Sequence, residues 1–197
     1  MKILAFVDLH GNKKALEKII HRANKKDIEM VVCAGDFTIF GQGEEIILSK
    51  LNRIGKPVLF VHGNHEDDDI LRKRCYLLKN CYFIHKNKFR KNSYLFIGWG
   101  GGGFSFRDRE FEEHLKKFKH LIKKDDKVIL VTHAPPYKTK IDNIMGEHAG
   151  NKSIRKFIEE VKPLLVISGH LHECVGYDKI GRTLVINPGY KGRVIII

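Results

Sequence analysis

Apolar residues fall along this chain in two alternating rhythms. Residues 3–7, 30–33 and 57–61 are short, nearly continuous apolar runs, the pattern of strands buried on both faces of a parallel sheet. Between them the spacing lengthens to the helical period. Leu16, Ile19 and Ile20 form one stripe behind Asn12, a residue suited to capping a helix, and Ile47, Leu48 and Leu51 mark a second helix within residues 44–54. After the third run the pattern changes. Residues 82–84 and 93–97 predict strands joined through the basic stretch 86–91, and residues 98–103, glycines around Trp99, predict a flexible loop. Residues 108–124 carry the clearest amphipathic helix, with Phe111, Leu115, Phe118, Leu121 and Ile122 on one stripe. A strand over 128–131, a long loop through Pro135 and Pro136, and a helix over about 152–161 follow. Closely spaced strands at 164–167, 174–178, 183–186 and 194–197 predict an antiparallel run that closes a second sheet. No internal repeat, linker or low-complexity tract interrupts the pattern, which predicts one domain over residues 1–197.

Composition removes several classes. With 197 residues, 43% hydrophobic and 30% charged, the chain is neither disordered, collagen-like nor disulfide-dense. No run approaches the ~18 apolar residues that span a bilayer. The first apolar run stops at Asp8, too short for the core of a secretory signal, so a cytoplasmic location without membrane attachment is expected. Cys33, Cys75, Cys81 and Cys174 form no C-x-x-C pair and are expected to be reduced thiols. Lys and Arg number 36 against 23 Asp and Glu, a net charge of +13 that suits an anionic partner such as a phosphate, a nucleic acid or an acidic surface. The lysine pairs at 13–14, 25–26, 116–117 and 123–124 are spread over several helices and read as solvated faces.

The chemistry lies in position. Asp8 and His10 follow the first strand, Asp36 the second, and Asn64 and His65 the third. His133 follows a later strand, and His170 and His172 follow the run ending at Ile167. Ligands of open α/β sheets sit at the carboxyl ends of the strands, so five distant segments deliver side chains to one rim. Carboxylate oxygen and imidazole nitrogen, without cysteine, suit Zn, Fe, Mn or Ni and argue against a closed structural zinc. In Asp-x-His and His-x-His, alternate residues of an extended segment face the same side. Gly35, Gly63 and Gly169 each precede a candidate ligand and allow the backbone to turn sharply there. A lone histidine is usually an ordinary surface or hydrogen-bonded residue, and His21, His62, His85, His114, His120 and His148 are read so. The five segments together, in order, indicate a metal pair.

The series Asp8-Leu9-His10, Gly35-Asp36, Gly63-Asn64-His65-Glu66, His133 and Gly169-His170-Leu171-His172 resembles the calcineurin-like metallophosphoesterases, in a form similar to their small prokaryotic and archaeal phosphodiesterases. The resemblance implies an α/β fold, a four-layer αββα sandwich of two mixed β-sheets flanked by helices. It implies two divalent transition-metal ions (Mn, Ni, Fe or Zn, with Mn favoured). One would be held by Asp8, His10, Asp36 and His172, the other by Asp36, Asn64, His133 and His170, with Asp36 bridging. It implies hydrolysis of a phosphate ester, a diester first, by in-line attack of a hydroxide held between the metals, with His65 stabilising or protonating the leaving group.

Two departures refine that resemblance. Protein phosphatases of the superfamily read Gly-Asp-x-x-Asp-Arg-Gly, whereas residues 35–41 here are Gly-Asp-Phe-Thr-Ile-Phe-Gly. The Asp that would orient His65 and an Arg that would hold phosphate are missing, which argues against a protein phosphatase and leaves the partner of His65 open. The exonuclease members add a DNA-binding cap, for which 197 residues leave little room. Nucleic-acid processing, favoured by the charge, and a monoesterase on small phosphorylated molecules stay as alternatives. A retromer-type scaffold that has lost its metal ligands is set aside because every ligand position is filled. Substrate-binding residues and oligomeric state are not legible. The 98–103 loop has two readings, a substrate contact through amides or Trp99 and a plain connector. Phe104, Phe106, Arg107 and Arg109 likewise read as a base-stacking platform or as packing and surface charge.

Overall fold

The computed structural model describes residues 1–197. In β1 (Lys2–Phe6), Ile3 and Ala5 turn to one side and Leu4 and Phe6 to the other, and all four are buried. The same alternation runs through β2 (Met30–Cys33) and β3 (Val58–Phe60), so each strand serves two cores. One core lies between this sheet and the helices α1 (Lys13–Ala23), α2 (Glu44–Asn52) and α3 (Asp68–Tyr76). The other lies between two sheets, where Ile3, Val32 and Leu59 meet Phe96, Ile129 and Ile167. The far side of the second sheet packs on α4 (Arg109–Leu121) and α5 (Lys152–Val161) through Phe111, Phe118 and Phe157. The result is the four-layer αββα sandwich.

The first sheet has the order β13-β1-β2-β3-β4, with β4 at Cys81–Phe83 and β13 at Arg193–Ile196. The second has the order β11-β12-β10-β7-β6-β5. Its strands are β5 (Asn87–Lys91), β6 (Tyr94–Trp99), β7 (Lys127–Thr132), β10 (Leu165–Ile167), β11 (Gly176–Ile180) and β12 (Thr183–Asn187). A small hairpin, β8 (Asn143–Ile144) with β9 (Glu147–His148), sits in the long proline loop. No helix is long and apolar enough to cross a membrane. The four cysteines are buried and unpaired.

Several sequence expectations change. Residues 87–91 of the basic stretch form a strand, antiparallel to β6 at the sheet edge, where charged side chains discourage further pairing. Only Phe89 of β5 packs inward, and the lysines around it hid the alternation. Gly98 and Trp99 belong to β6, so the glycine loop begins at Gly100. The tail is no antiparallel run. β10 pairs in parallel with both β7 and β12, β11 and β12 are the one antiparallel pair formed within the tail, and β13 crosses to the first sheet, antiparallel to β1. Residues 172–174 form a 3-10 turn, and the strand expected from 174 starts at Gly176. Helix α3 went unseen because it is short and charged and buries only Leu71 and Cys75.

Candidate metal centre

Parallel strands of both sheets end at one rim. Asp8 and His10 follow β1, Asp36 follows β2, Asn64 and His65 follow β3, His133 follows β7, and His170 and His172 follow β10. The loops are laced together by their backbones. Asp8 N–H donates to Gly35 O at 3.1 Å, His10 N–H to Asp36 O at 3.0 Å, and Gly169 N–H to His133 O at 2.9 Å. Asp8, His10, Asp36 and His170 all have positive φ, a strained choice for non-glycine residues that concentrates at functional sites. Gly35, at φ +98°, has no room for a side chain: a Cβ there would lie 2.6 Å from Gly63 N and 2.8 Å from His133 Nδ1.

All seven candidate ligands come together. Asp8, His10 and His172 form one group of donors, and Asp36, His133 and His170 another. Asp36 Oδ2 lies 3.3 Å from His133 Nε2 and 4.0 Å from His10 Nε2, so it stands between the two groups. Asn64 Oδ1 is 3.2 Å from His133 Nε2. His65 Nε2 is 4.0 Å from Asp36 Oδ2, and its ring meets that of His10 edge-on at 4.7 Å.

Proton bookkeeping at these atoms fits cations. His133 Nδ1 lies 2.9 Å from the Ala34 carbonyl, which can only accept, so Nδ1 carries the proton. The Nε2 lone pair of the neutral ring then faces two oxygen acceptors, Asp36 and Asn64. Burial pulls the His133 pKa down, but the Asp36 carboxylate more than reverses this and the net direction is upward: the pocket asks for positive charge at Nε2. Asp36 itself, against the effect of burial, is held down to about 2 by His133 and by the His65 N–H that donates to Oδ1. His10 Nε2 and His172 Nε2 face each other at 2.9 Å and can share one proton at most. Asp8 Oδ2 and His170 Nε2 are buried without any hydrogen-bond partner. Converging lone pairs from hard oxygen and imidazole nitrogen are what divalent transition metals satisfy.

Sequence reasoning overlooked Glu66. Its buried carboxylate accepts from Asp36 N–H at 2.9 Å, Thr38 N–H at 2.9 Å, Thr38 Oγ1 at 2.8 Å and Gly63 N–H at 3.0 Å. It ties the loop after β2 to the loop after β3. The only signal was its place beside His65. His65 also gains a partner: Phe40 N–H points at Nδ1 at 3.4 Å, and the Phe40 ring packs on the imidazole at 4.4 Å.

Trp99 does not reach the rim. It packs on Phe111 and Phe118 and donates from Nε1 to Asp108 at 2.8 Å, so it is core. Phe104, beyond the glycine loop, lies edge-on to His170 at 4.5 Å. Two histidines read as ordinary brace that loop. His62 O accepts from Gly101 N–H at 2.9 Å, and His85 Nδ1 accepts from Gly100 N–H at 2.8 Å. That bond leaves the His85 proton on Nε2, facing Asp68 at 3.5 Å, while His62 Nδ1 in the same cluster is buried without a partner.

The chain matches the calcineurin-like phosphoesterase family over residues 1–174 and belongs to it. Over 202 residues it is 34% identical to an uncharacterized protein of Methanocaldococcus jannaschii, covering 97% of this chain and 89% of that one. Among solved structures it resembles a dimetal phosphatase from Danio rerio (TM-score 0.67, 12% identity, 94% of this chain and 86% of the other). It also resembles an archaeal phosphodiesterase (TM-score 0.53, 18% identity, 96% and 84%). Both likenesses show a shared fold. Membership implies a hydrolase of phosphate esters that uses a pair of divalent metal ions.

Proposed function

We propose that the chain is a single catalytic domain that hydrolyses phosphodiesters at this rim, with manganese the favoured ion and the cytoplasm its location. Asp8, His10, Asp36 and His172 would hold one ion, and Asp36, Asn64, His133 and His170 the other. The observation that carries the reading is Asp36 standing between two groups of carboxylate and imidazole donors. When bound, two such ions neutralise phosphoryl oxygens and supply a nucleophile at neutral pH.

The protein's own residues supply position and a proton. His65 Nδ1 accepts from Phe40 N–H, so the neutral ring carries its proton on Nε2, on the side of Asp36. That proton is placed to reach a leaving oxygen. The backbone N–H of Phe40 orients the ring by donating to Nδ1, whereas an aspartate at that place, as in the protein phosphatases, would accept from Nδ1 instead. Glu66 holds the loops that carry Asp36 and His65 in register. The low identity to the archaeal phosphodiesterase and the Danio rerio phosphatase lends the fold, while the donor set supports the chemistry.

Nucleic-acid processing is a second reading. It is favoured by the charge of +13 and by a groove of about 760 Å3 where Lys14, Lys18 and Arg22 of α1 gather with Lys191 from the turn before β13. Metal-free protein reloaded with Mn²⁺, Ni²⁺, Zn²⁺ or Fe²⁺ is expected to cleave bis-(p-nitrophenyl) phosphate. A panel of cyclic nucleotides, nucleotide monoesters, lipid-like diesters and oligonucleotides then ranks substrates. No turnover with any metal overturns the enzyme reading, and preference for oligonucleotides with a steep salt dependence selects the second one.

A further inference from the structure

Beside His65 the surface opens into a groove of about 460 Å3. Asn64 and His65 bound it where it meets the rim, and Phe40 and Ile70 give it apolar lining. Both apolar side chains are exposed, Phe40 by 75% and Ile70 by 46%. Phe40 has φ +46°, a left-handed backbone that strains a bulky residue. Neither core packing nor solubility explains an aromatic ring kept exposed at a strained position. One face of that ring covers His65, at a tilt of 33°, and the residue is otherwise open to solvent.

The charge of the groove runs against that of the chain. Glu44, Glu66 and Asp67 line it, with Arg74 as the lone cation. The Arg74 guanidinium is already matched, with one nitrogen 2.9 Å from Glu44 and another 3.0 Å from Glu45. Glu44 and Glu66 are buried and already paired, so an anion entering here would meet the exposed Asp67 carboxylate and no unmatched guanidinium, although the protein carries +13 overall.

We infer that this groove is the subsite for the leaving group. It takes a flat, uncharged organic moiety, a nucleoside or an aryl alcohol, and rejects a leaving group that bears a further phosphate. The inference rests on the phosphodiesterase reading, in which His65 faces the leaving oxygen of a diester. It adds Phe40 as a specificity residue, stacking on the moiety that His65 protonates, and it turns the substrate away from polymers whose next phosphate would lie in the groove.

The test uses Mn²⁺-loaded full-length protein and adenosine 5′-(methyl phosphate). Hydrolysis splits this diester in one of two ways, and chromatography tells them apart: adenosine with methyl phosphate, or AMP with methanol. Adenosine release is expected, since the groove holds the flat group on the leaving side. Phe40→Ala should raise KM about tenfold, the worth of one base–aromatic stack, and Phe40→Tyr should restore it. Methyl p-nitrophenyl phosphate is the aryl arm: a matching KM rise there assigns the groove to flat groups in general, and a rise with adenosine alone assigns it to nucleosides. An added 3′-phosphate on the adenosine diester should lower kcat/KM roughly tenfold. Asp67→Asn, which keeps a good helix cap, should narrow that gap. Release of AMP overturns the inference. So does a Phe40→Ala variant that loses kcat at constant KM, or equal use of the phosphorylated analogue. Turnover of no diester at all overturns the phosphodiesterase reading and this inference with it.

Discussion

Asp36 Oδ2 lies 3.3 Å from His133 Nε2, on a ring whose other nitrogen already donates to the Ala34 carbonyl. A neutral His133 therefore offers this carboxylate a lone pair. The contact becomes favourable only with a cation between the two groups or with an extra proton on the ring. Asp36→Asn removes the charge shared by both donor groups. It is expected to lower bound metal from two ions per chain, read by elemental analysis after desalting. Two ions retained at unchanged affinity would remove Asp36 from the bridge.

Metal binding is also expected to stabilise the fold, because the lone pairs it satisfies are otherwise buried or opposed. At a free metal concentration a hundred times Kd, linkage gives about 2.7 kcal/mol. For a chain of this length that corresponds to a rise in Tm of about 5–10 °C over the chelated protein. Differential scanning calorimetry with and without chelator measures it, and superimposable traces would contradict it.

Glu66 makes a sharper structural claim. Four donors converge on its buried carboxylate, and Glu66→Gln would turn an amide NH2 toward some of them. The expected loss is about 2–4 kcal/mol of stability, from charge-assisted hydrogen bonds lost and a donor set against donors. Metal affinity should fall as well, because the released loops carry Asp36 and Asn64. Urea unfolding reads the first effect and metal titration the second. Unchanged stability would mean the carboxylate does not hold these loops.

Legibility followed periodicity. The runs around Val32, Leu59 and Leu130 gave strand positions, and the polar residues just after them gave the rim, because parallel strands must all end on one side. Sheet membership was not legible. β13 ends the chain yet pairs with β1, and that pairing depends on contacts far apart in sequence. Phe89 shows the other failure, a single inward residue among lysines and arginine that no periodicity can register. Among site residues, His10 and His172 were visible through motif spacing. Glu66 and Phe40 were not, because their roles run through backbone N–H groups that any sequence possesses.

His85 gives the pH dependence a sign. Burial, aided by nearby His62 and Lys86, holds its pKa down to about 2 from an ordinary 6.5. The unfolded chain then binds more protons than the folded one between those values, so stability is full above pH 6.5 and falls as pH drops through that window. One such group contributes a slope of about 1.4 kcal/mol per pH unit. His85→Asn keeps an acceptor for Gly100 N–H but cannot be protonated, so its Tm should fall less steeply from pH 6.5 to 4.5. Parallel profiles would show that His85 does not drive the acid limb.

His65 separates catalysis from metal binding. Its backbone N–H donates to Asp36 Oδ1, its Nδ1 faces Phe40 N–H, and its Nε2 lies 4.0 Å from Asp36 Oδ2. The first of these bonds survives any side-chain change, so His65→Ala should leave Asp36 in place and both ions bound. What it removes is the Nε2 proton beside the leaving oxygen. Loss of general-acid help is expected to lower kcat by about 10²–10⁴ with alkyl leaving groups. With p-nitrophenolate, which departs without a proton, the loss should be far smaller. Comparing the two leaving groups on the same variant, with metal content measured on the same sample, decides the role. An equal loss on both would assign His65 to phosphate binding, and a loss of metal would make it a ligand.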